Sequence, residues 1–359
     1  MGALYEKGCG LLEKYVVSQI NFSTLAILFC LMGVVEGLRK LGYIDRVAGH
    51  LKKFSDRIKW LESMMIFSCF IFALFLTNDV ALIIIVPFTI QILEEIGRED
   101  LLIRIIVLET IAANIGGMGT PIGNPQNLYL YQYYDMHLTG FFRQVLPYTG
   151  TALILLLLLI LGGKRQETQG SVKNRSVGHT GKEKAREKVA KTVIYLLLFC
   201  LCILTVLGKI AYTVTFLTVA LTMLFLDREL LKNINYGLLL KFIGLFLLVG
   251  NIAAIPLIRE KLQYLVVGRE FLTGILLSQV ISNVPAAVML SRFTTNGELL
   301  LVAVDVGGLG TLIASMASMI SFDYYLKKEG SSKRKYLLQF TVYNLLFLLA
   351  MIVVYLLCG

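Results

Sequence analysis

Two short polar strings interrupt apolar stretches of the sequence, and their residue types suit the binding of a small ion. The members are Thr77, Asn78 and Asp79 in the first string and Ser282, Asn283 and Val284 in the second. A strongly polar or ionisable side chain inside an apolar run is costly unless it meets water, an ion or a partner. Each string also begins a new apolar arm, and the free N–H groups at a helix start favour an anion. We therefore expect both strings to bind substrate.

A purely structural role is the alternative for both strings. Thr, Asn and Asp commonly occupy the first positions of helices, so Thr77 and Asn78 could serve only to cap the second arm. Capping accounts for one polar residue, but not for the recurrence of the pattern at Ser282 and Asn283. The recurrence favours binding.

A second pair of motifs is rich in glycine. GGMGTPI, residues 116–122, recurs as GGLGTLI, residues 307–313, with five of seven residues identical. Such segments can unwind a helix and leave backbone carbonyls free to bind a hard cation such as sodium. Close helix packing through small residues is the alternative. The residues assigned to the coupling ion are Gly116, Gly117, Gly119, Asn124, Asn127, Gly307, Gly308 and Gly310, and those assigned to substrate are Thr120 and Thr311.

Two further positions extend the predicted ion site. Asp305 precedes the second glycine cluster by two residues, and Asn114 stands at the same place before the first. A carboxylate beside a neutral counterpart is a candidate proton or sodium site. Asp79 is the other candidate carrier and is slightly favoured, because it adjoins Asn78 and should approach the substrate more closely. Asn78 and Asn283, the asparagines of the two polar strings, are also predicted to be ligands of the ion. Glu109 is expected near a span end, where an interfacial position is at least as favoured as a functional one.

The composition excludes a soluble protein. Of the 359 residues, 57% are hydrophobic and 16% are charged, and the mean hydropathy is +0.74. About 17 to 25 apolar residues span a bilayer, so the sequence predicts an all-α polytopic membrane protein. The predicted spans are 16–38, 101–134, 141–163, 192–208, 211–226, 236–258, 299–326 and 336–358. Residues 61–95 and 270–296 each have two arms of roughly 12 to 16 residues, which predicts two re-entrant hairpins.

The basic residues predict the orientation. Most of the 34 Lys and Arg residues fall in five loops, and basic loops face the cytoplasm. These loops are 39–60, 98–104, 164–191, 228–241 and 327–335. The basic linker is then cytoplasmic, both termini are extracytoplasmic, and the protein belongs in the cell (inner) membrane. A net charge of +10 accompanied by no nucleic-acid motif predicts no nucleic-acid partner.

The order of the motifs predicts an internal duplication. Residues 1–163 form the first repeat, with a broken helix at 101–134, and residues 192–359 form the second, with a broken helix at 299–326. The spans within 192–226 have no counterpart in the first repeat. A weaker match, Ile-Asn-Phe at 20–22 and Ile-Asn-Tyr at 234–236, places the two repeats in opposite orientations. Inverted repeats are typical of transporters.

With two Asn-bearing tips, each followed by a glycine-rich broken helix, the sequence resembles the ion transporter superfamily. That superfamily includes divalent anion:sodium symporters, citrate permeases, arsenite permeases and sodium/proton antiporters. The resemblance implies a homodimer whose transport domain carries substrate past a scaffold domain by an elevator-like motion. The dicarboxylate branch has Ser-Asn-Thr at both tips. The strings at 77–79 and 282–285 look more like those of the arsenite and sodium/proton branches.

The function favoured by the sequence is secondary active transport of a small inorganic or organic anion, coupled to sodium or protons. No ATP-binding string occurs, and no cofactor is expected beyond the coupling ion. A sodium/proton antiporter is one alternative. An intramembrane enzyme is a remote one, because HExxH, GxSxG and GxGD strings are absent. The aromatic residues, which include Tyr129, Tyr131, Tyr133 and Tyr134, are expected in an interfacial belt.

Overall fold

The computed structural model describes residues 18–42, 58–162 and 182–358, which contain helices and no strand. The helices of the first part are α1 Phe22–Lys40, α2 Ile58–Leu76, α3 Asn78–Glu95, α4 Leu102–Met118, α5 Pro125–Tyr133 and α6 Leu138–Gly162. Those of the second part are α7 Lys182–Val206, α8 Tyr212–Leu226, α9 Glu229–Asn233, α10 Tyr236–Ala253, α11 Pro256–Val266, α12 Glu270–Ile281, α13 Asn283–Leu290, α14 Gly297–Gly307, α15 Met316–Leu326 and α16 Lys333–Cys358.

Among the described residues, seven helices are long and apolar enough to cross a membrane, or up to eight if the bent pair α11 and α12 is one span. Many large apolar side chains lie on the outside of the bundle, such as Phe225 and Leu357, which are 78% and 80% exposed. Such a surface is suited to lipid rather than water. The prediction of an all-α polytopic membrane protein is confirmed.

The first predicted hairpin has longer arms than expected. Helices α2 and α3 contain 19 and 18 residues, and α2 alone has the length and hydropathy of a span. The predicted hairpin began at residue 61, whereas α2 begins at Ile58. Glu62 lies inside α2, is buried, and pairs with Arg104 of α4. Pairing reduces the cost of placing these charges inside the bundle. The second pair, α12 and α13, is shorter, with 12 and 8 residues.

The predicted span 236–258 is wrong at its end. Helix α10 stops at Ala253, and a separate helix, α11, begins at Pro256. Proline suits the first turn of a helix and disfavours continuation of the preceding one. Helix α11 then meets α12 at a bend of 111°. The charged residues of α11, including Arg259 and Lys261, were not recognised as a helix of their own.

The helices form two packed groups. Helices α1, α7, α8, α9 and α10 contact one another, whereas α2 to α6 pack with α12 to α16. Contacts of α1 with α5 and of α10 with α13 join the groups. The centre of the larger group is formed by α4 and α14, whose residues are almost all buried. These two helices carry the glycine clusters at their C-terminal ends.

Ion pairs connect several of the loops predicted to be cytoplasmic. Lys40 lies 2.9 Å from Asp227 and 2.7 Å from Glu229. Lys328 lies 3.0 Å from Glu94 and 2.7 Å from Glu99. Hydrogen bonds to Glu99 and Glu94 raise the pKa of Lys328. The last residue of α1 thus meets the segment between α8 and α9 and the start of α9. The end of α3 and the segment after it meet the segment after α15. Most of the predicted linker 164–191 lies outside the described residues.

Candidate functional site

Each predicted tip is a break of one residue between two helices. Thr77 separates α2 from α3 with a φ of +85°, and Ser282 separates α12 from α13 with a φ of +75°. A non-glycine residue in this region costs about 1–3 kcal/mol, and such strain is concentrated at functional sites. Neither side chain caps the helix that follows it, so the capping alternative is wrong for Thr77.

The asparagine after each break is buried and holds the same position in both halves. The Asn78 Oδ1 accepts a hydrogen bond of 2.9 Å from the backbone N–H of Asp79. The Asn283 Oδ1 accepts one of 3.0 Å from the backbone N–H of Val284. Both side chains are therefore fixed at the start of a helix. The Asn78 amide also donates to Asn114 Oδ1 at 3.1 Å, which connects the first tip to α4.

The predicted breaks in the two long helices are present. Helix α4 ends at Met118 and α5 starts at Pro125, while α14 ends at Gly307 and α15 starts at Met316. In each break a threonine hydroxyl bonds to the carbonyl three residues before the tip. Thr120 Oγ1 donates to Leu74 O at 2.7 Å, and Thr311 Oγ1 donates to Gln279 O at 3.2 Å. The hydroxyl groups of Thr120 and Thr311, residues predicted to bind substrate, thus hold the broken helices against the tips.

Several backbone carbonyls in the breaks accept side-chain hydrogen bonds, whereas the sequence predicted that they would be free to bind a cation. Asn127 Nδ2 donates to the carbonyls of Gly117 and Thr120, both at 3.2 Å. In the second half, Gln279 Nε2 donates to the carbonyl of Gly307 at 2.8 Å and to that of Leu309 at 3.0 Å. These amides replace bonds lost where the helix unwinds. Sequence reasoning missed Gln279, although a glutamine inside the apolar arm before a tip was a visible signal.

The glycines permit close approach, as the packing alternative expected. A Cβ on Gly116 would collide with the backbone oxygen of Phe70, and one on Gly117 would collide with Asn124. A Cβ on Gly308 would lie 2.7 Å from the Asn283 amide nitrogen. Gly310 has a φ of +116°, which favours glycine. Packing and unwinding thus occur in the same segments.

The two halves exchange hydrogen bonds across the centre of the site. Asn124, the residue immediately before α5, donates from Nδ2 to Asp305 Oδ1 at 3.3 Å. Ser315, at the matching position before α15, donates from Oγ to Asn114 Oδ1 at 3.1 Å. Gln126 Nε2 adds a bond of 3.0 Å to Asp305 Oδ1. Each broken helix thus bonds to the other half of the chain at a residue that lies two positions before the glycine cluster of that half.

These bonds bring the two tips into one site. Asn114 accepts from both Asn78 and Ser315. Ser282 Oγ donates to the carbonyl of Ala314, the residue before Ser315, at 3.3 Å. Asp79 is half-buried, and Lys241 of α10 is near enough to interact with it electrostatically. The predicted substrate and ion residues therefore form one cluster rather than two distant ones.

Several buried polar atoms of this cluster have no hydrogen-bond partner in the described part of the chain. They are Asp305 Oδ2, Asn124 Oδ1, Asn127 Oδ1 and Asn114 Nδ2. A buried polar atom that stays unpaired costs about 1–3 kcal/mol. Three of the four are oxygens, and oxygen ligands suit a hard cation such as sodium, while a carboxylate also suits a proton. The donor set fits the predicted coupling ion.

Two expectations about neighbouring residues are wrong. Glu109 is fully buried and accepts a hydrogen bond from Thr89, so it is not interfacial, because α4 is covered on all sides. Tyr129 and Tyr131 are also buried, at 1% and 6% exposure, and do not belong to a belt facing lipid. The hydroxyl of Tyr129 instead lies 2.9 Å from Ser291 Oγ in the second half.

Comparison with known proteins identifies the family. A family model described as citrate transporter matches residues 8–297. The chain belongs to the citrate transporter family. The resemblance to the ion transporter superfamily is thereby confirmed, and the protein is a membrane transporter.

Two relatives match most of this citrate transporter family member, and a third matches part of it. It is 32% identical to the inner membrane protein YbiR of Escherichia coli over 310 residues, which is 84% of this chain and 79% of that protein. It is 31% identical to the transporter MJ0456 of Methanocaldococcus jannaschii over 306 residues, 84% of this chain and 80% of that protein. The human P protein is 31% identical over 129 residues, 35% of this chain and 15% of that protein.

Proposed function

We propose that this citrate transporter family member moves a small inorganic or organic anion by secondary active transport, coupled to sodium ions or protons. The observation that carries the proposal is the reciprocal pair of bonds Asn124–Asp305 and Ser315–Asn114. It unites two helix breaks, a carboxylate and two strained tips in one buried cluster. An enzyme has no evident use for this duplicated arrangement.

The anion is assigned to the space between the tips. Helices α3 and α13 begin there, and a helix start carries unpaired N–H groups and a partial positive charge. Asn78 and Asn283 are held in place by the backbone of the next residue, which fixes their amide groups for recognition. The family name supports citrate as a first compound to test. The likeness of the strings at 77–79 and 282–285 to those of the arsenite branch supports testing inorganic oxyanions as well.

The coupling cation is assigned to Asp305 and its neighbours. Asp305 Oδ1 already accepts from Asn124 and Gln126, while Asp305 Oδ2 is buried without a protein partner in the described residues. A proton or sodium ion at Oδ2, together with the oxygens of Asn124 and Asn127, would compensate this carboxylate. Binding of the cation would then complete the wall of the anion site, which provides a physical basis for coupling.

The helix groups support an elevator-type arrangement within a homodimer. We assign the group α1, α7, α8, α9 and α10 as scaffold, because it meets the group that carries the site mainly through α1–α5 and α10–α13. The inverted orientation of the two repeats belongs to this proposal. So do placement in the cell inner membrane, cytoplasmic basic loops and extracytoplasmic termini. The lipid bilayer and a second copy of the chain are the proposed partners, and no nucleic acid is involved.

A sodium/proton antiporter is the second candidate. Two carboxylates, Asp79 and Asp305, lie in the cluster, and both could exchange cations without an organic substrate. The test is uptake of labelled citrate, sulfate or arsenite into proteoliposomes, with sodium and proton gradients imposed separately. Accumulation of an anion driven by one gradient supports the anion transporter. Proton flux driven by sodium with no added anion supports the antiporter instead.

A further inference from the structure

A second polar cavity lies away from the tips, at the N-terminal end of α1. Its volume is about 400 Å³, and its walls come from α1, α5, α8, α10 and the segment after α13. The lining residues used below are Gln19, Asn21, Tyr133, Tyr212 and Arg292. On α5, the lining residues Tyr129 and Tyr133 lie five and nine residues after Asn124, about 7 and 13 Å along a helix. The cavity is therefore adjacent to the cluster around Asp305, and its lining among the described residues shares no residue with that cluster.

Arg292 supplies the charge of this cavity. Among the described residues, the lining contains this one basic side chain and no Asp or Glu. No carboxylate in the described part of the chain lies within ion-pair distance of Arg292. Its Nη2 donates to the Gln19 carbonyl at 3.3 Å, and its guanidinium lies 5.8 Å from the centre of the Tyr133 ring. A guanidinium keeps further donors when one is used.

The segment that carries Arg292 is held firmly. Tyr134 OH donates to the carbonyls of Ser291 at 3.1 Å and Thr294 at 2.9 Å, and Thr294 Oγ1 donates to Glu270 at 2.8 Å. These bonds attach the segment to α5 on one side and to α12 on the other. Arg292 therefore has a fixed base from which its side chain reaches the cavity, so little backbone ordering accompanies binding there.

The opposite wall of the cavity is the start of α1. Asn21 Oδ1 accepts from Thr24 N at 3.0 Å and caps the helix, while the N–H groups of Phe22 and Ser23 precede the first intrahelical bond. The partial positive charge at this end adds to that of Arg292. Phenol hydroxyls of Tyr133 and Tyr212 provide further possible donors. The charged side chain and the helix end in the cavity wall thus both favour a negative ligand.

We propose that the Arg292 cavity is an anion-binding site that captures the transported carboxylate or inorganic oxyanion before it reaches the tips. This proposal rests on the proposed anion transport. The cavity lies between the two packed helix groups, next to the α1–α5 contact made by hydrogen bonds from Ser23 and Thr24 to Gln132. An anion held there raises the local substrate concentration beside the helix that leads to Asp305.

The first experiment compares Arg292→Gln with Arg269→Gln in proteoliposomes. Arg269 is exposed, lies at the start of α12 and is not among the cavity lining residues, so it is a matched loss of charge. Arg292→Gln should raise the KM for anion uptake about tenfold while kcat changes less than about twofold, because it removes capture rather than the central site. Arg269→Gln should leave both parameters unchanged. Equal KM values for wild type and a folded Arg292→Gln would overturn the proposal.

The second experiment measures binding without transport and without changing Arg292. Ser18 is an exposed lining residue, so Ser18→Cys is labelled with a charged thiol reagent in a chain whose Cys9, Cys200 and Cys358 are serine. Citrate or sulfate, at constant ionic strength set by chloride, should slow labelling at least about threefold. Unchanged labelling with both anions would contradict the cavity site even if anion flux is normal. Slowed labelling without any anion flux would retain the cavity site and reject the transport function.

Discussion

Asn124 of the first half and Asp305 of the second are joined by a hydrogen bond of 3.3 Å from the amide nitrogen to the carboxylate. Its counterpart runs from Ser315 to Asn114 at 3.1 Å. Asn124 and Ser315 each lie eight residues after the first glycine of their cluster, and Asn114 and Asp305 each lie two residues before it. The same contact is therefore made twice with different chemistry, and only one copy contains a carboxylate. Because of that difference, we assign the proposed coupling ion to Asp305.

Replacement of Asp305 by Asn should preserve the fold and weaken coupling. The Asn oxygen can still accept from Asn124 and Gln126, as Asn114 accepts from Ser315, but the side chain can no longer take up a proton or compensate sodium. We expect the half-saturating sodium concentration, or the pH dependence of flux, to change at least about tenfold. Flux measured against sodium at fixed pH, and against pH at fixed sodium, checks this.

The control for that change is Asp323→Asn, which alters an exposed carboxylate near the end of α15. Asp79→Asn tests the alternative carrier at the first tip. If the two site variants and their double variant all keep normal sodium and pH dependence, no carboxylate of the cluster carries the coupling ion. The role would then pass to backbone carbonyls of the two helix breaks.

Gln279→Leu should damage the second helix break. The side chain donates to the carbonyls of Gly307 and Leu309 and accepts from the N–H of Thr311 at 2.7 Å. Leucine would leave the two part-buried carbonyls unpaired at a cost of about 1–3 kcal/mol each. We expect a lower apparent melting temperature and loss of most flux. Gln339→Leu on the exposed face of α16 is the control, and normal stability and flux in Gln279→Leu would refute a structural role for the amide.

Gly116→Ala should reduce the yield of folded protein, whereas Gly150→Ala should not. A Cβ at Gly116 meets the backbone oxygen of Phe70 on α2, and backbone cannot move aside as a flexible side chain can. Gly150 lies within α6 with no atom within 4 Å of an added Cβ, so alanine there should stabilise by about 0.5–1 kcal/mol. Size-exclusion profiles and melting curves of the two variants give the comparison. Equal behaviour would show that the close contact at Gly116 is not needed.

Much of the cluster could be predicted because polar residues are conspicuous in an apolar chain. Asn78, Asn283 and Asp305 stand out against their neighbours, and the repeated glycine strings gave the positions of both helix breaks. Hydropathy gave most of the remaining helices, apart from their ends. Such signals are strong in a membrane protein, since a polar group inside the membrane is costly unless it meets water, an ion or a partner.

The rest depended on contacts that composition does not encode. Gln279 and Gln126 act through partners about 28 and 179 residues away, so their roles follow from the fold rather than from local spacing. Glu109 seemed interfacial because it is near the end of an apolar run, yet α4 is enclosed by other helices. The same reason explains the buried Tyr129. Helix α11 was missed because its charges ended a hydropathy-based span.

The most direct test of the central claim is anion flux in proteoliposomes containing Asn78→Ala or Asn283→Ala. Each change removes an amide that is fixed at a tip together with its two hydrogen bonds, which are worth about 1 kcal/mol each, too little to unfold the protein. Asn251→Ala is the matched control, because Asn251 is exposed on α10 and bonds only locally to Leu247 in the described structure. We predict folded protein in all three variants, flux lowered at least about a hundredfold in both tip variants, and normal flux in the control. Wild-type flux in either folded tip variant would contradict the assignment of substrate to the paired tips.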